Sequence, residues 1–342
     1  MLIWKGYQKG INLGGWFSQC DHTQKRYDTF ITDRDFAVIK SWGADHVRVP
    51  IDYELLEDAN AEPIESGYER LQRTIGLCRQ NGLNMILDLH KTAGFSFDAN
   101  EGEAGFFDSE ACQERFFRLW ERIAERFGGN ADMLAFELLN EVTDKEYCDT
   151  WNRIALTCIR RIRAIAPNVT VLVGGYYHNS AVAVKDIALP PDENIVYNFH
   201  CYEPLIFTHQ GAYWIKTMDR AFRLPVTATF AEMAKADREM GTLSCAGYEK
   251  YAPDTVLSSA YFEDFMAEAA SVAEQRGVRL YCGEYGVIDC ASPEDAVQWY
   301  RMIHAAFEKY GIGRAAWSYR EMDFGLSDAR MDGVRAELLQ YI

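Results

Sequence analysis

Ala135-Phe136-Glu137-Leu138-Leu139-Asn140-Glu141-Val142 reads as a short, largely buried strand whose far end abruptly carries an amide and a carboxylate. The segments on either side have helical spacing. Upstream, Phe116, Trp120, Ile123 and Phe127 fall on one face; downstream, Trp151, Ile154, Cys158, Ile162 and Ile165 do the same. A buried strand between two amphipathic helices is the repeating unit of a parallel sheet covered by helices.

Outward from this unit the pattern repeats. Strands are predicted at Gly10–Trp16, His46–Ile51, Asn84–His90, Leu134–Glu141, Thr170–Gly174, Ile195–Tyr202, Arg279–Glu284 and Ala315–Tyr319. Helices are predicted near Asp33–Ser41, Tyr68–Gln80, Ala260–Gln275, Pro293–Lys309 and Val334–Tyr341, with Asn81-Gly82 and Pro167 as stop signals. Eight strand–helix units in strict alternation predict an α/β fold, a closed (β/α)8 TIM barrel, with 1–342 as a single catalytic domain. Residues 204–258 are too long for an ordinary loop. They carry Tyr213, Trp214, Phe222, Phe230 and Met233, and a small helical subdomain inserted after strand six, over the mouth of the barrel, is expected.

The totals agree with one large domain: 342 residues, 48% hydrophobic and 13% aromatic. A formal net charge of −16 without a basic cluster argues against nucleic acid or an anionic membrane as partner, since both are bound chiefly through positive charge. Nine scattered cysteines without a C-x-x-C pair point to reduced thiols and away from zinc. The chain enters its first strand almost at once, with no basic and apolar leader. A cytoplasmic monomer is expected, or a secreted one if a signal segment has been removed.

In such barrels the C-terminal ends of the strands form the active face. Those ends place Arg48, His90, Asn140, Glu141, His200, Tyr202, Glu284 and Trp317 together. Glycoside hydrolysis needs one carboxylic acid to protonate the leaving oxygen and a second carboxylate on the other face of the sugar. Glu141 and Glu284 are the pair. Arg48 and the Tyr202 hydroxyl favour an ionised, nucleophilic Glu284, while Glu141, less well paired, is expected to hold its proton near neutral pH. Asn140 would donate to the sugar 2-hydroxyl, and Trp317 would offer a stacking face. Glu137, four residues before Glu141 and about 13 Å below it on an extended strand, is read as a buried, paired structural acid, and Asp88 likewise. His22, His46, His178, His209 and His304 are read as structural.

These residues lie in stretches that resemble the motifs of glycoside hydrolase family five, the cellulase family. They are Gly10-Ile11-Asn12-Leu13-Gly14-Gly15-Trp16, His46-Val47-Arg48-Val49-Pro50, Leu87-Asp88-Leu89-His90, Phe136-Glu137-Leu138-Leu139-Asn140-Glu141, Val196-Tyr197-Asn198-Phe199-His200-Cys201-Tyr202, Tyr281-Cys282-Gly283-Glu284-Tyr285-Gly286 and Ala316-Trp317-Ser318-Tyr319. Within the family the chain is most similar to the endoglucanase C type. The resemblance implies Glu141 as acid/base, Glu284 as nucleophile, and Arg48, His90, Asn140, His200, Tyr202 and Trp317 around the attacked sugar, with no metal and no cofactor. Lys91 and Ser318 stand where many relatives have His and Asn.

The implied function is a retaining endo-β-1,4-glucanase acting on soluble or mixed-linkage β-glucan or cello-oligosaccharide. A β-mannanase or an oligosaccharide-trimming β-glycosidase is the near alternative. A metal-dependent hydrolase built on His90, His200 and the two glutamates lacks the His-x-His or His-Glu-x-x-His that such a site favours. A non-catalytic carbohydrate-binding barrel would be expected to lack one of the two carboxylates.

Overall fold

The computed structural model describes residues 2–190, 192–242 and 246–342. Its centre is a closed parallel barrel in the order β1 to β8. The strands are β1 (Lys9–Asn12), β2 (His46–Asp52), β3 (Asn84–Lys91), β4 (Leu134–Glu137), β5 (Thr170–Val173), β6 (Ile195–Cys201), β7 (Arg279–Tyr285) and β8 (Gly313–Ala316). The (β/α)8 expectation holds.

Side-chain alternation along each strand divides the molecule into two cores. Val47, Val49 and Ile51 of β2, Met85, Leu87 and Leu89 of β3, and Phe136 of β4 point outward and pack under the helices. Ile86, Ala135, Leu172, Val196, Tyr281 and Ala315 point inward and meet Trp4 and Tyr7. The Trp4 and Tyr7 rings stack at 3.9 Å, and Trp4 lies edge-on to Tyr281 at 5.4 Å. Apolar side chains therefore fill the lower barrel, so inward positions nearer the strand C-termini are left for polar groups.

The helices are locally well specified. Asp33–Ser41 opens with a capping box between Thr32 and Asp35. Pro293–Tyr310 starts on a Ser292 cap with Pro in its first turn and stops at left-handed Gly311. Three buried tryptophans tie this outer layer to the ends of the strands. Trp120 Nε1 donates to the Leu138 carbonyl at 3.1 Å, Trp151 Nε1 to Gly174 at 2.8 Å and Trp299 Nε1 to Glu203 at 3.1 Å. The segments after β4, β5 and β6 are thus fixed from behind.

Several boundaries differ from the sequence reading. β4 ends at Glu137, and Asn140 and Glu141 lie beyond it, where the Asn140 N–H donates to the Leu89 carbonyl and Glu141 turns to φ +48°. Trp317 follows β8 instead of lying within it. β1 stops at Asn12, and the closing helix is a single turn, Arg335–Leu338. Strict alternation fails between β5 and β6, where a left-handed turn at Tyr177–Asn179 and the 3-10 segment Ala181–Asp186 replace a long helix. Among the described residues, 204–258 contains the turn Leu205–Thr208, the helix Phe230–Met240 and the 3-10 turn Tyr248–Lys250. Phe230 packs against Tyr251 and Tyr261, which anchors this helix to Ser259–Arg276. Cys201 and Cys282 are buried free thiols, as small hydrophobes would be. No helix of the described residues is long and apolar enough to cross a membrane.

A charged pair between the first two strands gives a pH test. His22 Nε2 lies 3.2 Å from Asp52. The Asp52 carboxylate, with a smaller contribution from Cys20, raises His22 from 6.5 to about 10 against its burial. A raised folded-state value means stability that is complete below 6.5 and lost as pH rises through about 10. The melting temperature of His22→Gln is therefore expected to lie below that of the native chain at neutral pH and to converge with it by about pH 10. A gap of constant size across that range would rule the pair out as a source of stability.

Candidate active site

Arg48 is the hub. It is fully buried on the inward face of β2. Its Nε and Nη2 donate to the two oxygens of Glu137 at 2.7 and 2.8 Å, and Nη1 donates to Glu284 Oε1 at 2.6 Å. Nη1 also reaches Asn12 Oδ1 at 3.0 Å, while Nη2 reaches Asn140 Oδ1 and Asp88 Oδ2, each at 3.0 Å. One guanidinium thus binds carboxylates from β3, β4 and β7. Their charges, Asp88 and Glu137 foremost, push its pKa well up although burial opposes this.

Glu137 is the paired structural acid that was expected, and Asn198 Nδ2 adds a third hydrogen bond at 2.7 Å. Regular β4 ends at Glu137, so counting residues along an extended strand does not measure the distance from Glu137 to Glu141. Glu137 and Glu284 share Arg48 directly. Asp88 accepts from His90 Nδ1 at 2.6 Å, and the His90 ring stacks on Trp317 at 5.8 Å with 5° between planes. Phe97, from the loop after β3, lies edge-on to His90 at 5.2 Å.

Glu284 accepts from Arg48 on one oxygen and from the Tyr202 hydroxyl on the other at 2.9 Å. Burial and the nearby Glu284 carboxylate keep the Tyr202 phenol far above its ordinary pKa, so it stays a donor. Glu284 is aimed by a bulge: Phe199 pairs with Cys282 but His200 pairs with Glu284, leaving Gly283 as the extra residue. Gly283 N–H donates to Asn198 Oδ1 at 2.9 Å, and a Cβ there would come within 2.7 Å of that same oxygen. Gly283→Ala is therefore expected to displace Glu284 and lower kcat about a hundredfold. Turnover within twofold of native would show that the bulge is not what positions the carboxylate.

Glu141 is only 8% exposed. Its Oε1 accepts from His200 Nδ1 at 2.7 Å and its Oε2 from His178 Nδ1 at 3.1 Å. Burial would raise its pKa, but hydrogen bonds from His178 and His200, with their charge, outweigh burial and hold it well below the usual range. This corrects the expectation that Glu141 keeps its proton in the free chain: it is not the less well paired of the two acids. One oxygen of Glu141, one of Glu284 and a ring nitrogen of His200 all lie within 4.8 Å of one another. That spacing would also suit a cation, but His200 Nδ1 is already engaged as donor to Glu141, with Glu284 at 3.7 Å.

The structure joins all eight sequence-predicted residues in one network of hydrogen bonds, ion pairs and ring contacts. His178 was missed. It lies five residues past the end of β5, the one strand of β2 to β8 from which the sequence reading took no residue, and so beyond the reach of the strand-end rule. Asn12, Asn179 and Asn198 also escaped notice, being amides whose partners are distant in sequence. Of the other histidines read as structural, His46 fits that reading, held between Asp45 and Tyr281 at 2.6 Å each.

Two carboxylates meet beyond the strand ends of a parallel eight-stranded barrel, one of them held by a buried arginine, an arrangement that glycoside hydrolysis can use. Residues 6–323 match the family described as Cellulase (glycosyl hydrolase family 5), and the chain belongs to that family. Cellodextrinase A of Ruminococcus flavefaciens is 47% identical over 314 residues, covering 92% of this chain and 86% of that protein. Endoglucanase C of Acetivibrio thermocellus is 33% identical over 343 aligned positions, covering 98% of each. Among solved structures, an endoglucanase superposes with a TM-score of 0.78 at 21% identity, covering 98% of this chain and 97% of the other, a likeness of fold.

Proposed function

We propose that the protein cleaves β-1,4-glucosidic bonds of soluble β-glucans and cello-oligosaccharides with retention of configuration, Glu284 acting as nucleophile and Glu141 as acid/base. The observation that carries this reading is that one oxygen of Glu141 and one of Glu284 lie within 4.8 Å of each other. Retaining enzymes hold the two groups about 5 to 5.5 Å apart, whereas inverting enzymes leave about 6.5 to 9.5 Å for a water.

Glu284, with both oxygens accepting hydrogen bonds, is acceptor-only and suits attack on the anomeric carbon. Arg48 and Tyr202 fix its direction. As the bond to the leaving sugar breaks, Glu141 donates its proton to the departing oxygen. The resulting Glu141 carboxylate then takes a proton from the water that attacks the glycosyl ester, releasing Glu284 and restoring both groups. Asn140 Oδ1 is taken by Arg48 and its Nδ2 lies 3.5 Å from His90 Nε2, which leaves the amide oriented to donate to the sugar 2-hydroxyl. His90 and Trp317 form a stacked pair on which the sugar face would rest. His200 orients Glu141.

The substrate is inferred from the relatives. Greater identity to a cellodextrinase than to endoglucanase C supports short, soluble chains as well as polymer. We further infer that the described residues of 204–258 border one end of the cleft. Trp214, 39% exposed, contacts His209 and Phe324, and both of these contact Tyr202.

The test is product analysis on cellopentaose, mixed-linkage β-glucan, carboxymethyl cellulose and β-mannan side by side. Rapid release of small products from cellopentaose and β-glucan, with the β-anomer formed first, is expected. Initial formation of the α-anomer would overturn retention, and preference for mannan would overturn the substrate.

A further inference from the structure

Glu141 must be protonated when the leaving oxygen departs, yet in the free chain both of its oxygens accept from histidine. The two histidines differ in access. The His200 side chain is 2% exposed and enclosed, with Asn179 3.5 Å from its far nitrogen. The His178 side chain is 54% exposed. Oε1 is therefore bonded to the enclosed histidine, and Oε2 to the exposed one.

The backbone holds His178 at some cost. Tyr177, His178 and Asn179 are consecutive non-glycine residues at φ +51°, +54° and +56°, a conformation such residues rarely adopt singly and that persists only where its surroundings enforce it. Here the Tyr177 and His178 N–H groups donate to the carbonyls of Thr143 and Val142 at 3.1 and 3.0 Å. The turn is thus fastened to the two residues that follow Glu141, which is itself at φ +48°. A half-exposed histidine needs no such support for packing. The support aims Nδ1 at Oε2.

We propose that His178 is the proton port of Glu141: it delivers a proton from solvent to Oε2 before the leaving oxygen takes its place there. This inference rests on the reading of Glu141 as acid/base. The step transfers one proton from the imidazolium Nδ1 to Oε2, leaving a neutral imidazole protonated at Nε2 and an uncharged carboxylic acid. Solvent then reprotonates Nδ1. His178 acts through Glu141 and is a positioning residue in that sense. The groups facing this pair are Glu141 and Asp144 beside His178, and His200, Glu284, Tyr202 and His209 beside Glu141. Burial lowers the His178 pKa, but the bond to Glu141 and the charge of Asp144 raise it overall. The pair therefore surrenders its last proton at a higher pH than Glu141 alone would.

The experiment compares His178→Gln and His178→Phe with Glu141→Gln, using kcat/KM to report bond cleavage. One substrate is cellotetraose, whose leaving sugar needs a proton; the other is dinitrophenyl β-cellobioside, whose leaving group does not. For both His178 variants, cellotetraose cleavage is expected to fall by about tenfold or more, with a much smaller loss on the dinitrophenyl substrate. The basic limb of the cellotetraose pH profile is expected to move to lower pH. Equal losses on both substrates, or a basic limb that stays in place, would overturn the proposal. If the Glu141→Gln control shows the leaving-group split while the His178 variants do not, only the His178 inference falls. If Glu141→Gln cleaves cellotetraose at the native rate, the acid/base reading itself falls.

Discussion

Glu284→Gln is expected to lose at least about 10⁴-fold in kcat on every substrate, including those with activated leaving groups. The amide is nearly isosteric with the carboxylate and can still accept from Arg48, so the fold and the sugar site should survive while the ester can no longer form. Calorimetric binding of cellotetraose within about tenfold of native affinity, together with abolished turnover, is the expected pair of results. A variant that retained a tenth of native turnover would remove Glu284 as nucleophile. A variant that lost binding and turnover together would place Glu284 in sugar recognition instead.

Arg48→Met is expected to damage both stability and activity. Arg48 is fully buried and touches Asp88, Glu137 and Glu284. Removing one member of a buried charge network costs about 3 to 5 kcal/mol, because the partners remain without compensation. Burial already pushes the Glu137 pKa up against the pull of Arg48; without Arg48 it rises further. A carboxyl raised in the folded state stabilises below its folded value and ceases to do so as pH rises through it. The melting-temperature gap between Arg48→Met and native protein should therefore be wider at about pH 7 than at about pH 5. Activity should fall by at least about 10²-fold, since Glu284 loses its orienting donor. A gap independent of pH would mean that Glu137 and Asp88 find other partners when Arg48 is gone.

The legibility of this site in the sequence follows from what strands and helices encode locally. Period-two alternation on β2 and β3 makes Arg48, Asp88 and His90 inward-facing before any coordinates are known, and a polar residue facing into a barrel is costly unless it is used. The strand-end rule then collects Glu141, His200, Glu284 and Trp317. It fails where the chain departs from regular geometry. Counting along an extended strand treated Leu138-Leu139-Asn140-Glu141 as part of β4, and nothing local in that stretch announces that the strand stops at Glu137. His178 was set aside because three successive left-handed residues without a glycine have no local signature; tertiary hydrogen bonds impose them. The pairing of Glu141 was misjudged for the same reason, since its second histidine was out of view.

The sequence by itself determined the barrel and eight of the residues that meet beyond its strand ends. All of these follow from hydrophobic periodicity, which is a property of neighbours in the chain. Only the tertiary structure decided how those residues are wired: that one guanidinium serves three acids, that a single-residue bulge at Gly283 aims Glu284, and that Glu141, just past β4, sits between a buried histidine and an exposed one. Hydrogen-bond partners and proton affinities depend on groups from different strands meeting within about 3 Å, and no pattern of near neighbours specifies which groups will meet.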